Sequence, residues 1–153
     1  MTQQVATSHI LLAEDNAADE ALVREALHEH GVACTLHVVK DGEKAIAFIR
    51  DIDTRPGHND KTRPHLDLLL LDMHLPRYDG PEILHALRST EHYAQKPVIV
   101  MTSSASPGLR EATDGQGAMH YFRKPSSLDE FLLLGGIVKA VLASRTPRYG
   151  DAA

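Results

Sequence analysis

Apolar residues along the chain fall into two kinds of run, and the two kinds alternate. Residues 9–13 and 66–71 form short, nearly continuous apolar stretches, the pattern of parallel strands buried on both faces. Residues 97–101 (PVIVM) add a third run, rich in β-branched side chains, while 35–39 and 120–122 are weaker strand candidates nearer the sheet edges. Helical spacing fills the intervals. Asn16 is placed to cap a helix reaching about residue 30, with Asp19 and Glu20 in its first turn and Gly31 at its end. Asp41 can cap a second helix over 43–50, with Ala45, Ile46 and Ile49 on one face. Pro81 suits the first turn of a third helix reaching about residue 89, and Pro107 opens a short fourth one ahead of the turn at 115–117. Ser127 and Glu130 have the spacing of a capping box for a last helix running to about residue 144.

This order is β-α repeated five times, which predicts an α/β fold with a doubly wound parallel sheet, helices on both faces and right-handed crossovers. Ligand chemistry in such folds collects beyond the carboxyl ends of the strands. The polar stretch 53–65 (DTRPGHNDKTRPH) reads as an inserted surface loop, mobile or facing a partner. With 153 residues, 42% of them hydrophobic and 24% charged, the chain has the makings of one soluble globular domain. A net charge of −5 argues against a general nucleic-acid binder. The single cysteine, Cys34, excludes an internal disulfide, fits a reducing cytoplasm and suits a small buried side chain. No secretory signal is evident, and no apolar run approaches the roughly 20 residues of a membrane span.

The residues that carry chemistry stand where the strands stop. Glu14 and Asp15 follow the first strand, Asp72 the third, Thr102 the fourth, and Lys124 the fifth, just before Pro125. In the predicted fold Glu14, Asp15 and Asp72 converge, and three adjoining carboxylates raise one another's pKa unless a cation joins them. Mg²⁺ suits such a site, because it takes oxygen ligands and commonly combines one or two carboxylates with a phosphate. A carboxylate there can act as a nucleophile in phosphoryl transfer, with Lys124 neutralising charge on the transferring oxygens. The Thr102 hydroxyl could hydrogen-bond a phosphoryl oxygen, and the Tyr121 ring could change rotamer when that hydroxyl is drawn inward.

Four segments, ILLAEDN at 10–16, LLLLDMHLPRYDG at 68–80, VIVMTSS at 98–104 and YFRKP at 121–125, together resemble the receiver domain of two-component response regulators. The resemblance covers residues 8–144 and leaves short tails at 1–7 and 145–153, with no output domain. It implies a flavodoxin-like sheet of strand order 2-1-3-4-5. It implies that Asp72 is the phospho-acceptor and that Glu14, Asp15, Asp72 and the His74 backbone carbonyl hold Mg²⁺. It further implies a Thr102 and Tyr121 switch pair, a Lys124 contact to the phosphoryl group, and a cis Lys124–Pro125 bond. Within the family the chain is similar to stand-alone regulators that pair with bacterial phytochrome histidine kinases. On that footing it is a cytoplasmic signalling protein rather than an enzyme, with a histidine kinase as partner and phosphorelay as its role. Arg77, Tyr78 and Ser126 depart from common family residues without touching the inferred chemistry.

Competing readings are weaker. An aspartate-nucleophile phosphohydrolase of the haloacid-dehalogenase type needs a second aspartate two residues on, where this chain has His74. Neither GxxxxGK[ST] nor GxGxxG follows the first strand, so nucleotide binding has no support. A phosphorylation-independent scaffold or a phosphate sink is the remaining alternative. The ten histidines contain no HExxH pair or Cys/His cluster, so a zinc site is rejected. The last helix carries Phe131, Leu132, Leu133, Leu134, Ile137, Val138, Val141 and Leu142, more than one apolar stripe. With Gly135 and Gly136 permitting close backbone approach, a homodimer through Phe131, Leu134, Val138 and Val141 and the adjoining fifth strand is expected.

Overall fold

The computed structural model describes residues 7–57, 64–77, 80–103 and 120–144. Five strands, β1 (Ser8–Ala13), β2 (Cys34–Val39), β3 (Leu68–Asp72), β4 (Val98–Thr102) and β5 (His120–Arg123), form one parallel sheet in the order β2-β1-β3-β4-β5. The described helices are α1 (Ala17–Glu29), α2 (Gly42–Thr54), α3 (Gly80–Arg88) and α4 (Leu128–Ser144). The helix expected after Pro107 lies outside the described residues. Central β3 is buried along its whole length, as its unbroken leucines require.

Side-chain alternation divides the core in two. Leu11, Leu69, Leu71, Val98 and Val100 pack under α2 and α3, whereas Ile10, Leu12, Leu68, Leu70, Ile99, Met101 and Phe122 pack under α1 and α4. Local signals set the helix ends. The Asn16 side chain accepts from the Asp19 amide at 2.9 Å, and the Asp41 side chain from that of Lys44 at 2.7 Å. Gly31 ends α1 at φ 64, and the Ser127 hydroxyl accepts from the Glu130 amide at 3.2 Å.

Two expectations are corrected here. The segment expected to be loop from Asp53 begins as helix, since α2 runs to Thr54. The Asp53 carboxylate then accepts the Glu91 and His92 amides, at 3.0 and 2.8 Å, and ties α2 to the approach to β4. Phe131, Leu134, Val138 and Val141 are all buried within the chain's own core, so they cannot be a dimer surface. Gly135 explains why: a Cβ there would lie 2.1 Å from the Ala26 carbonyl oxygen. The backbone that the glycine admits is that of α1, and the surplus of apolar residues on α4 is largely absorbed by this close crossing. Leu128 and Leu133 remain exposed. No helix among the described residues is long and apolar enough to cross a membrane.

Toward the amino ends of the strands, three imidazoles meet under α2. His9 Nδ1 and His37 Nε2 are 2.9 Å apart, and the rings of His9 and His65 lie 4.0 Å between centroids. Asp67 accepts the His9 amide at 2.8 Å and stands 3.2 Å from His65 Nε2.

Candidate phosphoryl and metal site

At the opposite end, the alternation that builds the core also builds the site. Glu14, Asp72 and Lys124 are the next even positions after Leu12, Leu70 and Phe122, on the side covered by α1. Glu14 is fully buried and Asp72 nearly so, while Asp15 is exposed. One carboxylate oxygen from each of the three lies within 4.8 Å of the others. Backbone bonds fix the frame: Glu14 N–H donates to the Val39 carbonyl at 3.0 Å, Met73 to Met101 at 3.1 Å, and Lys124 to Thr102 at 2.8 Å. The Asn16 amide donates to Glu14 Oε2, and the His74 amide to Asp72 Oδ1, each at 3.1 Å.

Lys124 is the ammonium of the cluster. Its Nζ donates to Glu14 Oε1 and to Asp19 Oδ2, both at 2.8 Å, and stands 3.6 Å from Asp72 Oδ2. Burial alone would lower the Lys124 pKa. Hydrogen bonds to Asp19 and Glu14 and the nearby Asp72 charge outweigh that, and the pKa is raised. Glu14 goes the other way from an ordinary carboxylate: burial pushes it up to about 7, against the opposing Lys124 bond and with further help from Asp72. Three carboxylates, Glu14, Asp19 and Asp72, stand within 3.6 Å of one ammonium, and Asp15 adjoins two of them. An all-oxygen donor set that is short of positive charge fits a hard divalent cation such as Mg²⁺.

Of the residues expected from sequence, Glu14, Asp15, Asp72 and Lys124 are brought together. Thr102 ends β4 and Tyr121 lies on β5 opposite Val100, so both belong to the α2/α3 side, where Tyr121 packs on the core. The expected cis bond is not found: there is no cis peptide among the described residues. The trans isomer is intrinsically favoured by about 0.5–1 kcal/mol, and Lys124 reaches Glu14 and Asp19 with it. In the turn after β3, Arg77 adopts φ 65, a conformation that an arginine takes at a cost, and its guanidinium meets Glu43 at 2.9 Å. Asp19 is the Lys124 partner that the sequence pattern does not single out. The signal it offers is its place three residues after the cap, where a first-turn side chain leans back toward the strand ends.

The family model for the response regulator receiver domain matches residues 10–134. Response regulator Rcp1 of Synechocystis is 36% identical over 95 residues, 62% of this chain and 61% of Rcp1. The probable methanogenesis regulatory protein FilR2 of Methanothrix harundinacea is 30% identical over 79% of this chain and 74% of its own. This chain therefore aligns with less than two thirds of Rcp1. Among solved structures, the phosphorylated cyanobacterial phytochrome response regulator RcpA superposes with a TM-score of 0.76 at 31% identity, over 91% of this chain and 96% of that one. The Mn²⁺-bound form of Rcp1 gives a TM-score of 0.74 at 31% identity, over 88% of this chain and 94% of that one.

Proposed function

The chain belongs to the response regulator receiver family, and from that premise we propose that it is a phosphorylation switch whose acceptor is Asp72. One observation carries the reading: a buried aspartate ends the central strand with two further carboxylates within 4.8 Å and an ammonium 3.6 Å away. An Asp72 oxygen attacks the phosphorus of a phosphohistidine on a partner kinase, the P–N bond breaks, and an aspartyl phosphate forms. Glu14, Asp15, Asp72 and the His74 carbonyl would hold Mg²⁺, which when bound would supply positive charge to the transferring oxygens. Lys124 neutralises the remaining charge. The Thr102 hydroxyl then moves to a phosphoryl oxygen, Tyr121 turns inward, and the surface around β5 and α4 changes.

The partner proposed is a histidine kinase, with a bacterial phytochrome supported by the likeness to RcpA, itself a phytochrome response regulator. Residues 8–144 are proposed as the whole receiver, acting in the cytoplasm and signalling through protein contacts. Self-association through the outer side of α4 has the exposed Leu128 and Leu133 as its remaining support; a single monomeric species in sedimentation, with and without phosphorylation, would remove it. The central test is intact mass after incubation with Mg²⁺ and acetyl phosphate, beside Asp72→Asn. A Mg²⁺-dependent gain of one phosphoryl group, absent from the variant, is expected. No gain, together with no response of Tyr121 to beryllofluoride, would favour a phosphorylation-independent scaffold.

A further inference from the structure

Lys124 is held by more acids than the phosphoryl chemistry requires. Its ammonium bonds Glu14 and Asp19 at 2.8 Å, while Asp72 Oδ2 at 3.6 Å is beyond a hydrogen bond. Asp19 lies outside the acidic trio that could hold a cation. It is fixed from its own side as well, because its amide is bound by the Asn16 side chain at 2.9 Å. Its place in the first turn of α1 also sets the carboxylate at the positive end of the helix dipole. Side-chain exposure of 11% for Lys124 and 24% for Asp19 shields the pair more than an ordinary surface ion pair.

We infer that Asp19 is a positioning residue that tethers Lys124 away from Asp72 in the unphosphorylated protein and competes with the phosphoryl oxygens for its ammonium. The inference rests on Asp72 being the acceptor. To close the gap to a phosphoryl group on Asp72, Lys124 must shift against the Asp19 bond. The strength of that bond therefore enters the rate at which the phosphoryl group is taken up. Glu20, the next residue, spends its carboxylate on Arg24 and Lys40 instead, and it makes a matched charge control on the same helix.

Asp19→Asn keeps the backbone amide and its Asn16 bond while removing the competing charge. Uptake from acetyl phosphate with Mg²⁺ is followed by intact mass in wild type, Asp19→Asn, Glu20→Gln, Lys124→Met and the Asp19→Asn/Lys124→Met double variant. The Lys124 ¹³Cε NMR signal is followed in parallel in chelator-treated protein. Asp19→Asn is expected to raise the maximal uptake rate roughly three- to tenfold, and Glu20→Gln to stay within about twofold. In the Lys124→Met background, Asp19→Asn should add nothing, and the metal-free Lys124 signal should move in the Asp19→Asn single variant. Equal acceleration in the Lys124→Met background would overturn the inference, because it would mark a charge effect acting at a distance. An unmoved Lys124 signal would overturn the tether. A wild type that gains no phosphoryl mass would sink the Asp72 reading, while the metal-free signal judges the tether by itself.

Discussion

At the carboxyl ends of the strands, Glu14, Asp19 and Asp72 crowd one ammonium, with Asp15 beside the first and last of them. Toward the amino ends, His9, His37 and His65 stack beside Asp67. Each group has buried members, Glu14 and Asp72 in one and His9 and His65 in the other, yet they answer burial differently. The imidazoles can meet it as neutral rings: His9 and His37 share a hydrogen bond, and burial first, then the neighbouring imidazoles, lowers the His37 pKa. The carboxylates can become neutral only by taking up a proton. Glu14 is raised to about 7 mainly by burial, and the cluster remains short of positive charge. Such an arrangement carries a demand for a cation or a proton, and this marks it as the candidate reactive site where the histidine group is a packed one.

The difference can be broken most forcefully at Gly135. Gly135→Ala sets a methyl 2.1 Å from the Ala26 carbonyl oxygen and pushes α1 off α4. A loss of about 3 kcal/mol in denaturant unfolding is expected. The ring signals of the histidine cluster, on the other side of the sheet, should move less than the methyl signals around α1.

The next effect has the opposite sign. A carboxyl group whose pKa rises on folding costs stability as pH climbs from 4.5 to about 7. Glu14→Gln removes that cost. Without Mg²⁺ it should stabilise the fold by about 2–3 kcal/mol at pH 8 and make no difference below pH 4.5. Added Mg²⁺ should shrink the gap, since only the wild type keeps all three carboxylates of the candidate metal cluster. A variant less stable than wild type at pH 8 in chelator would refute the strain assigned to Glu14.

A smaller effect separates the two ends by pH. His37, lowered from 6.5, contributes stability that is present above pH 6.5 and lost as pH falls below it. Acidification therefore relieves the acidic end while charging the histidine end, and the two slopes partly cancel in the wild type. Glu14→Gln should reveal the histidine slope in an unfolding series from pH 7.5 to 5, and His37→Gln the glutamate slope. Parallel profiles in all three proteins would contradict this.

The smallest change tests a carboxylate that is satisfied. Burial would raise the Asp53 pKa, but amides of Glu91 and His92 and the His92 ring lower it, so its contribution is present above pH 3.8 and lost below. Asp53→Asn should cost about 1 kcal/mol at pH 7, read from the denaturation midpoint, with phosphoryl uptake unchanged.

Much of the fold and most of the site are legible in the residues alone. β3 announces itself as an unbroken leucine run, and Glu14, Asp72 and Lys124 are readable because each directly follows or ends a strand whose place in the pattern is clear. Asp19 is not, since its partner Lys124 stands 105 residues further along the sequence. The last helix misleads for a related reason. Apolar content reports how much of a helix is covered, not by what, and Gly135 lets α1 of the same chain cover it. The end of α2 is hidden because Asp53 and Thr54 resemble loop residues locally, whereas Asp53 is held by amides 38 and 39 residues further on.

The long separation between Lys124 and its partners has a consequence for how the protein is made. Glu14 and Asp19 precede Lys124 by 110 and 105 residues. Because synthesis runs from the amino terminus, a nascent chain displays the acidic residues well before the ammonium that balances them has left the ribosome. Charge balance at the site is thus among the last features to be completed, and a polypeptide stalled short of residue 124 carries the carboxylates without their counterweight.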